Sequence, residues 1–218
     1  MSTILITGAS RGIGLTLAQY LHARGDKVVA LNRHDCTERE WDWIECDLSK
    51  PDSVSDAVSA CSPYRFDGVV LNAALADKTV DQNRPTQMWR HIAVNFLGPH
   101  QLWYLLEWEQ LIASICNVVL MSSFLQNGNV RQPAYAASKA ALWAWMRSYT
   151  MAQPASHAVQ MNMLWPGRVI TPANPLRELP EGDVNAFRTP EEIIPYILQF
   201  LDQPDGGPRG TVVDLGRS

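Results

Sequence analysis

The sequence has no two cysteines in C-x-x-C spacing; its four, Cys36, Cys46, Cys61 and Cys116, lie far apart. A chain of 218 residues can build a core without disulfide staples, so four reduced thiols are expected. Metal-ligand spacing is missing as well. His22, His34, His91, His100 and His157 read as surface or packing residues, and no metal site is expected. There is no basic excess: 18 Lys and Arg face 22 Asp and Glu, for a formal net charge of −4, and the cations are scattered. That excludes the electrostatic footprint of a nucleic-acid binder. No run is long and apolar enough to cross a membrane, and "MSTILITG" enters a strand at about the third residue. No leader segment is therefore expected, and the location expected is cytoplasmic. Repeats, low-complexity tracts and linker compositions are also wanting, so residues 1–218 are expected to form one domain.

What is present alternates. Apolar runs at 3–8, 27–32, 43–48, 66–74, 116–123, 159–164 and 210–216 read as seven strands. Several are apolar on both faces, as buried parallel strands are. Between them fall helical patterns, including a long one over 86–111 with Trp89, Ile92, Phe96, Trp103 and Leu106 at helical intervals, and a capped one over 189–201. The order predicts an α/β protein: a three-layer, doubly wound parallel sheet of about seven strands, a Rossmann fold. About nine residues, 34–42, separate the second and third strands, too few for a crossover helix.

"TGASRGIG" (7–14) lies between the first strand and the first helix. Glycines at 8, 12 and 14 let the backbone turn tightly against a pyrophosphate, and the helix behind them aims its N-terminal amides at the anion. Farther on, "YAASKAALWAW" (135–145) puts Tyr135 and Lys139 on one face of a helix. A free tyrosine has a pKa of about 10; a nearby ammonium lowers it. In "VNFLGP" (94–99), Pro99 has no N–H to give to the Asn95 carbonyl, which leaves that carbonyl free to bind a water.

Together, "TGASRGIG" and "YAASK" resemble the short-chain dehydrogenase/reductase family, in its single-domain branch. Further landmarks are similar and fall in order: "CDLS" (46–49), "LNAA" (71–74), "VNFLG" (94–98) and "PGRVIT" (166–171). The resemblance implies that Tyr135 is the general acid or base. Lys139 lowers the tyrosine pKa and holds the nicotinamide ribose, and Asn95 holds a water that connects the lysine to solvent. A serine at the end of the fifth strand steadies the developing alkoxide. Counting back from Tyr135 lands on Ser122, whereas aligning the strand lands on Ser123; Ser123 is preferred because a one-residue loop deletion costs less than a flipped strand. Cofactor contacts implied are Gly8, Ser10, Arg11, Gly12, Ile13 and Gly14 in the turn; Asp47 and Leu48 at the adenine; Asn72, Ala73 and Ala74; and Pro166, Gly167, Val169 and Thr171, with Tyr135 and Lys139.

The residue ending the second strand faces the adenine ribose. An acid there would repel a 2′-phosphate, but this chain has Asn32 followed by Arg33, with Arg11 at the same corner. NADP(H) is therefore expected over NAD(H). Departures from the family pattern are Ala74 in place of a glycine, Trp165 before Pro166, and a short proline-containing lid over 172–188. Leu75, Phe124, Leu125, Trp165 and Arg168 are candidate pocket walls. Trp103, Trp108, Trp143 and Trp145 suggest contacts between subunits, as in relatives that pair these two helices in a homodimer or homotetramer; packing inside the monomer core is the rival reading. The expected activity is an NADP(H)-dependent interconversion of a small-molecule carbonyl and an alcohol. The alternative is a dinucleotide-binding regulatory protein of the same fold. An isomerase or dehydratase of nucleotide sugars would need a larger C-terminal substrate domain.

Overall fold

The computed structural model describes residues 1–35, 39–77, 81–154, 159–171 and 187–216. Chain order runs β1 (Thr3–Thr7), α1 (Gly12–Ala23), β2 (Lys27–Asn32), β3 (Asp42–Glu45), α2 (Pro51–Ala60) and β4 (Phe66–Leu71). Next in the chain is a composite helix: α3 (Pro85–Ile92), a π-helical turn (Ala93–Leu97) and α4 (Gly98–Trp108). Then come β5 (Ile112–Met121), a 3₁₀ turn (Phe124–Asn127), α5 (Pro133–Ala152), β6 (Val159–Trp165), β7 (Arg168–Val169), β8 (Phe187–Arg188), α6 (Pro190–Leu201) and β9 (Val212–Asp214).

Seven strands form one sheet in the order β3-β2-β1-β4-β5-β6-β9, every pairing parallel. Alternation along each strand feeds two cores. Leu5, Val29, Val69 and Val118 pack under α2, α4 and α5, while Ile4, Val28, Val70 and Val119 pack under α1 and α6. With both faces covered, the strands need apolar side chains on both sides, which is why they read as continuous runs. The expected three-layer doubly wound sheet is the fold found. No helix lies among the described residues between β2 and β3, and a parallel β7–β8 ribbon stands apart from the main sheet.

The long helix departs from expectation in one respect. Uninterrupted α-helical spacing sets Trp89 and Trp103 on one side, yet Trp89 is 70% exposed and Trp103 is 1% exposed, inside the core. The π-helical turn between them is the reason. Its Gly98 N–H reaches back five residues to the Ala93 carbonyl. Such a turn holds roughly one residue more than an α-turn, which rotates α4 relative to α3 by about 100°. Trp103 is thus a core residue, not a subunit contact. Trp143 and Trp145 also pack against the core, whereas Tyr104 and Trp108 remain on the surface. The cysteines Cys46, Cys61 and Cys116 are buried free thiols. Cys36, His157 and most of the expected lid (172–186) lie outside the described residues.

Candidate active site

β1 ends at Thr7 and α1 starts at Gly12, so the intervening residues must reverse the chain and present amides to whatever sits at the helix start. Gly8 has φ +74°, a conformation that favours glycine, and a Cβ on Gly14 would lie 2.2 Å from the Gly8 carbonyl oxygen. The helix can therefore seat against the turn only without a side chain there. Asn72 ties the same turn to β4, its Nδ2 donating to the carbonyls of Thr7 and Gly8 at 3.0 Å each. Thr7 Oγ1 in return accepts the N–H groups of Asn72 and Ala73 at 3.0 Å.

Asn32 is 5% exposed and turns inward: its Oδ1 accepts the Ala9 N–H at 2.6 Å, a donor that the turn leaves unpaired. The oxygen of this side chain is thus committed to the turn. Nδ2 has no acceptor among the described residues. Arg11 and Arg33 are exposed at this corner. Nearby, burial opposes the charge of Asp47, but hydrogen bonds from Ser49, with Lys50 and Arg33 close by, hold its carboxyl below the usual range. Leu48 is buried beside it, against Gly98. Thr171 approaches Gly12, where an added Cβ would lie 3.2 Å from its Cγ2.

Tyr135 is the third residue of α5, and its phenol lies close enough to Ser123, two residues past the end of β5, for the serine hydroxyl to act on it. Burial pushes the phenol up to about 12, an effect that Ser123 partly opposes. Lys139, one turn on and 2% exposed, donates from Nζ to the Met121 carbonyl at 2.7 Å, with Nζ 5.8 Å from the centre of the Tyr135 ring. Burial draws this ammonium down to about 8. Ser122 is buried and donates to Gln126 Oε1 at 3.1 Å. Ser123 instead accepts the Leu125 N–H on its Oγ at 3.2 Å and is the serine that acts on the phenol. Asn95 sits in the π-helical turn. Its Oδ1 accepts the Leu75 N–H at 2.6 Å, and its Nδ2 donates to the Leu75 carbonyl at 3.0 Å and to Ser138 Oγ at 2.9 Å.

Glycine turn, Asn95, Ser123, Tyr135 and Lys139 thus stand on one edge of a parallel sheet, in the order the sequence motifs run. Over residues 2–179 the chain matches the short chain dehydrogenase family. The chain belongs to that family. It is 33% identical to the uncharacterized oxidoreductase YxnA of Bacillus subtilis, an alignment covering 92% of this chain and 63% of YxnA. It therefore spans less than two thirds of that relative's length. Identity is 26% with the short-chain reductase protein NovJ of Streptomyces niveus, covering 94% of this chain and 88% of NovJ. A short chain dehydrogenase of Escherichia coli CFT073, solved in complex with NADPH, shares the fold at a TM-score of 0.85 and 24% identity, over 100% of this chain and 97% of that one.

In this short chain dehydrogenase, several supporting side chains escape notice in the sequence. Ser138 precedes Lys139 within the quoted motif, and Thr7 precedes Gly8; each is a hydroxyl beside a residue singled out, which is the signal available. Gln82 and Arg188 carry no such signal. Arg188 donates from Nη1 to the Leu215 carbonyl at 2.5 Å, and its own carbonyl accepts the Ile170 N–H at 2.9 Å, so it holds the Pro166–Thr171 stretch to the end of β9. Trp165 packs on the core, its indole N–H without an acceptor among the described residues. Arg168 stacks over Phe187 at 5.5 Å. Leu75, Phe124 and Leu125 are half-buried near Ser123 or Asn95, and Ala74 is exposed. No group of three or more metal-ligating side chains occurs among the described residues, and no helix among them is long and apolar enough to cross a membrane.

Proposed function

We propose that this chain is an NADP(H)-dependent oxidoreductase that interconverts a carbonyl and an alcohol on a small molecule. We further propose that it acts as a single domain, in the cytoplasm, as a homodimer or homotetramer. The observation that carries the reading is the grouping of Tyr135 beside Ser123, one helical turn from buried Lys139, whose Nζ lies 5.8 Å from the centre of the phenol ring. It lies at the carboxyl edge of the sheet that also bears the glycine turn, where open α/β sheets bind ligands.

The residues present fit a dinucleotide: the Gly8–Gly14 cradle leaves backbone amides open to a pyrophosphate. Bound there, a nicotinamide supplies or accepts the hydride. In reduction Tyr135 gives its proton to the carbonyl oxygen, and Ser123 donates a hydrogen bond to the same oxygen as charge develops on it. Lys139 places a positive charge beside the phenol, which favours the phenolate left behind, and holds the ribose. The Asn95 carbonyl holds the water through which the lysine regains its proton. Arg11 and Arg33 support the NADP(H) preference, and so does Asn32, whose only remaining group is a donor suited to a phosphate oxygen. Exposed Trp89, Tyr104 and Trp108 on the composite helix support association of copies.

Fluorescence titration with NADPH and NADH tests the cofactor; tighter binding of NADH would overturn the arginine argument. A panel of carbonyl compounds tests the chemistry, with Tyr135→Phe expected to lose about 100-fold or more in turnover. Full turnover in that variant would remove Tyr135 from its role. A chain that binds NADPH and reduces none of the panel would instead be the regulatory protein.

A further inference from the structure

Helix α5 begins poorly provided. Pro133 has no N–H, and the flanking Gln132 gives no side-chain cap to the first-turn amides. The acceptor comes from 53 residues away: Gln82 Oε1 accepts the Tyr135 N–H at 3.1 Å. The other half of the same carboxamide donates from Nε2 to the Asp77 carbonyl at 2.6 Å. Gln82 is 2% exposed, so water does not compete for either bond. Only a side chain with donor and acceptor at its tip can make both.

The peptide of Tyr135 is held from its other end too. Its carbonyl accepts from Ser138 Oγ at 2.7 Å, and that hydroxyl accepts from Asn95 Nδ2. Each of these two buried carboxamides leads to the same loop: Gln82 to Asp77, and Asn95 to Leu75. This is the loop after β4, whose Asn72, Ala73 and Ala74 stand in the proposed cofactor site. Ser123, beside the phenol, lies two residues past the end of β5 and caps the 3₁₀ turn, its Oγ accepting the Leu125 N–H at 3.2 Å. The approach of Tyr135 to Ser123 is therefore where a frame hung from the β4 loop meets the chain that leaves β5.

We propose that Gln82 is a positioning residue that sets the Tyr135 phenol against Ser123 by coupling the backbone of Tyr135 to the loop after β4. The proposal rests on the oxidoreductase reading above. Gln82 touches neither substrate nor cofactor; it acts through the tyrosine. Misplacement of a reacting group by a distance of about 1 Å costs up to about 100-fold in rate.

The test compares wild type, Gln82→Ala and Gln82→Glu, the last keeping the acceptor for Tyr135 and losing the donor to Asp77. In Gln82→Ala that remains folded by circular dichroism, kcat on the carbonyl panel is expected to fall about tenfold or more. The NADPH dissociation constant should change less than about twofold, and the alkaline limb of the kcat profile should move up as Tyr135 loses Ser123. Gln82→Glu should restore part of kcat. A folded Gln82→Ala with wild-type kcat and an unmoved limb overturns the proposal. If wild type turns over none of the panel, the oxidoreductase reading fails separately. Gln82 is then judged by ultraviolet titration of the Tyr135 phenol, isolated by difference against Tyr135→Phe: an upward midpoint in Gln82→Ala supports the positioning role, and an unchanged midpoint overturns it. Should Gln82→Ala not fold, Gln82→Glu carries the same comparison.

Discussion

Replacing Asn95 by alanine removes an acceptor and two donors at a fully buried position. Leu75 loses the partners of both its N–H and its C=O, and each buried backbone group left unpaired costs about 1–3 kcal/mol. Ser138 keeps its own bond to the Tyr135 carbonyl, so it adds little to the loss. Because Leu75 is half-buried, water offsets part of the cost, which leaves about 3 kcal/mol in all. In a chain of this size each kcal/mol moves the melting temperature by about 2–4 °C, so Asn95→Ala should melt roughly 6–12 °C lower. Urea unfolding measured with the slope unchanged gives the same quantity independently. Asn95→Asp is the control. It keeps the acceptor for Leu75 N–H but turns a carboxyl toward the Leu75 carbonyl, which raises that carboxyl's pKa in the folded state. Its protonated form can donate where the amide did, so the variant is most stable in acid and loses stability as the pH rises through the raised value. A loss below about 1 kcal/mol in Asn95→Ala would mean that the loop is held by something other than Asn95.

Lys139 carries a pH signature before any cofactor is added. Burial lowers its pKa from 10.5 to about 8, so between those values the unfolded chain binds the proton that the folded chain has given up. Stability therefore gains with pH across that window, and wild type should improve relative to Lys139→Met from pH 8 to 10.5 in paired urea titrations; parallel curves would refute this. On the composite helix, Trp108 is 69% exposed beside stacked Tyr104. Trp108→Lys should shift a light-scattering mass toward the monomer with little change in melting temperature, and an unchanged mass would overturn association through this face.

Much of the fold was legible because parallel strands buried on both faces and a glycine turn between strand and helix leave local signatures. The order of seven strands, the turn at 7–14 and the Tyr135–Lys139 pair all depend on residues close in sequence. What escaped depends on distance. Asn32 read as a ligand-facing residue because it ends β2; that its carbonyl serves the Ala9 N–H emerges only once two segments are packed together. Gln82 could not be found from spacing, since the helix it caps begins far down the chain. Ser122 and Ser123 are alternatives in the sequence; in the structure Ser122 turns to Gln126, while Ser123 lies beside the Tyr135 phenol. Trp89 was misplaced because helical periodicity assumes one uniform repeat, which sets it on the same face as buried Trp103.

The π-helical turn that moves Trp103 also constrains how the chain can change over time. It makes residue count, rather than residue identity, the quantity that keeps two faces of one helix in step. Substitutions along 93–97 alter contacts one at a time. Deleting a single residue there would restore an unbroken α-helix and turn its two halves against each other by about 100°. Either Trp103 would leave the core or Trp89 would be driven toward it, and Asn95 would lose its line to Leu75. The segment thus behaves as a reading frame written in three dimensions: around Asn95 it should accept many spellings in its descendants, and only one length.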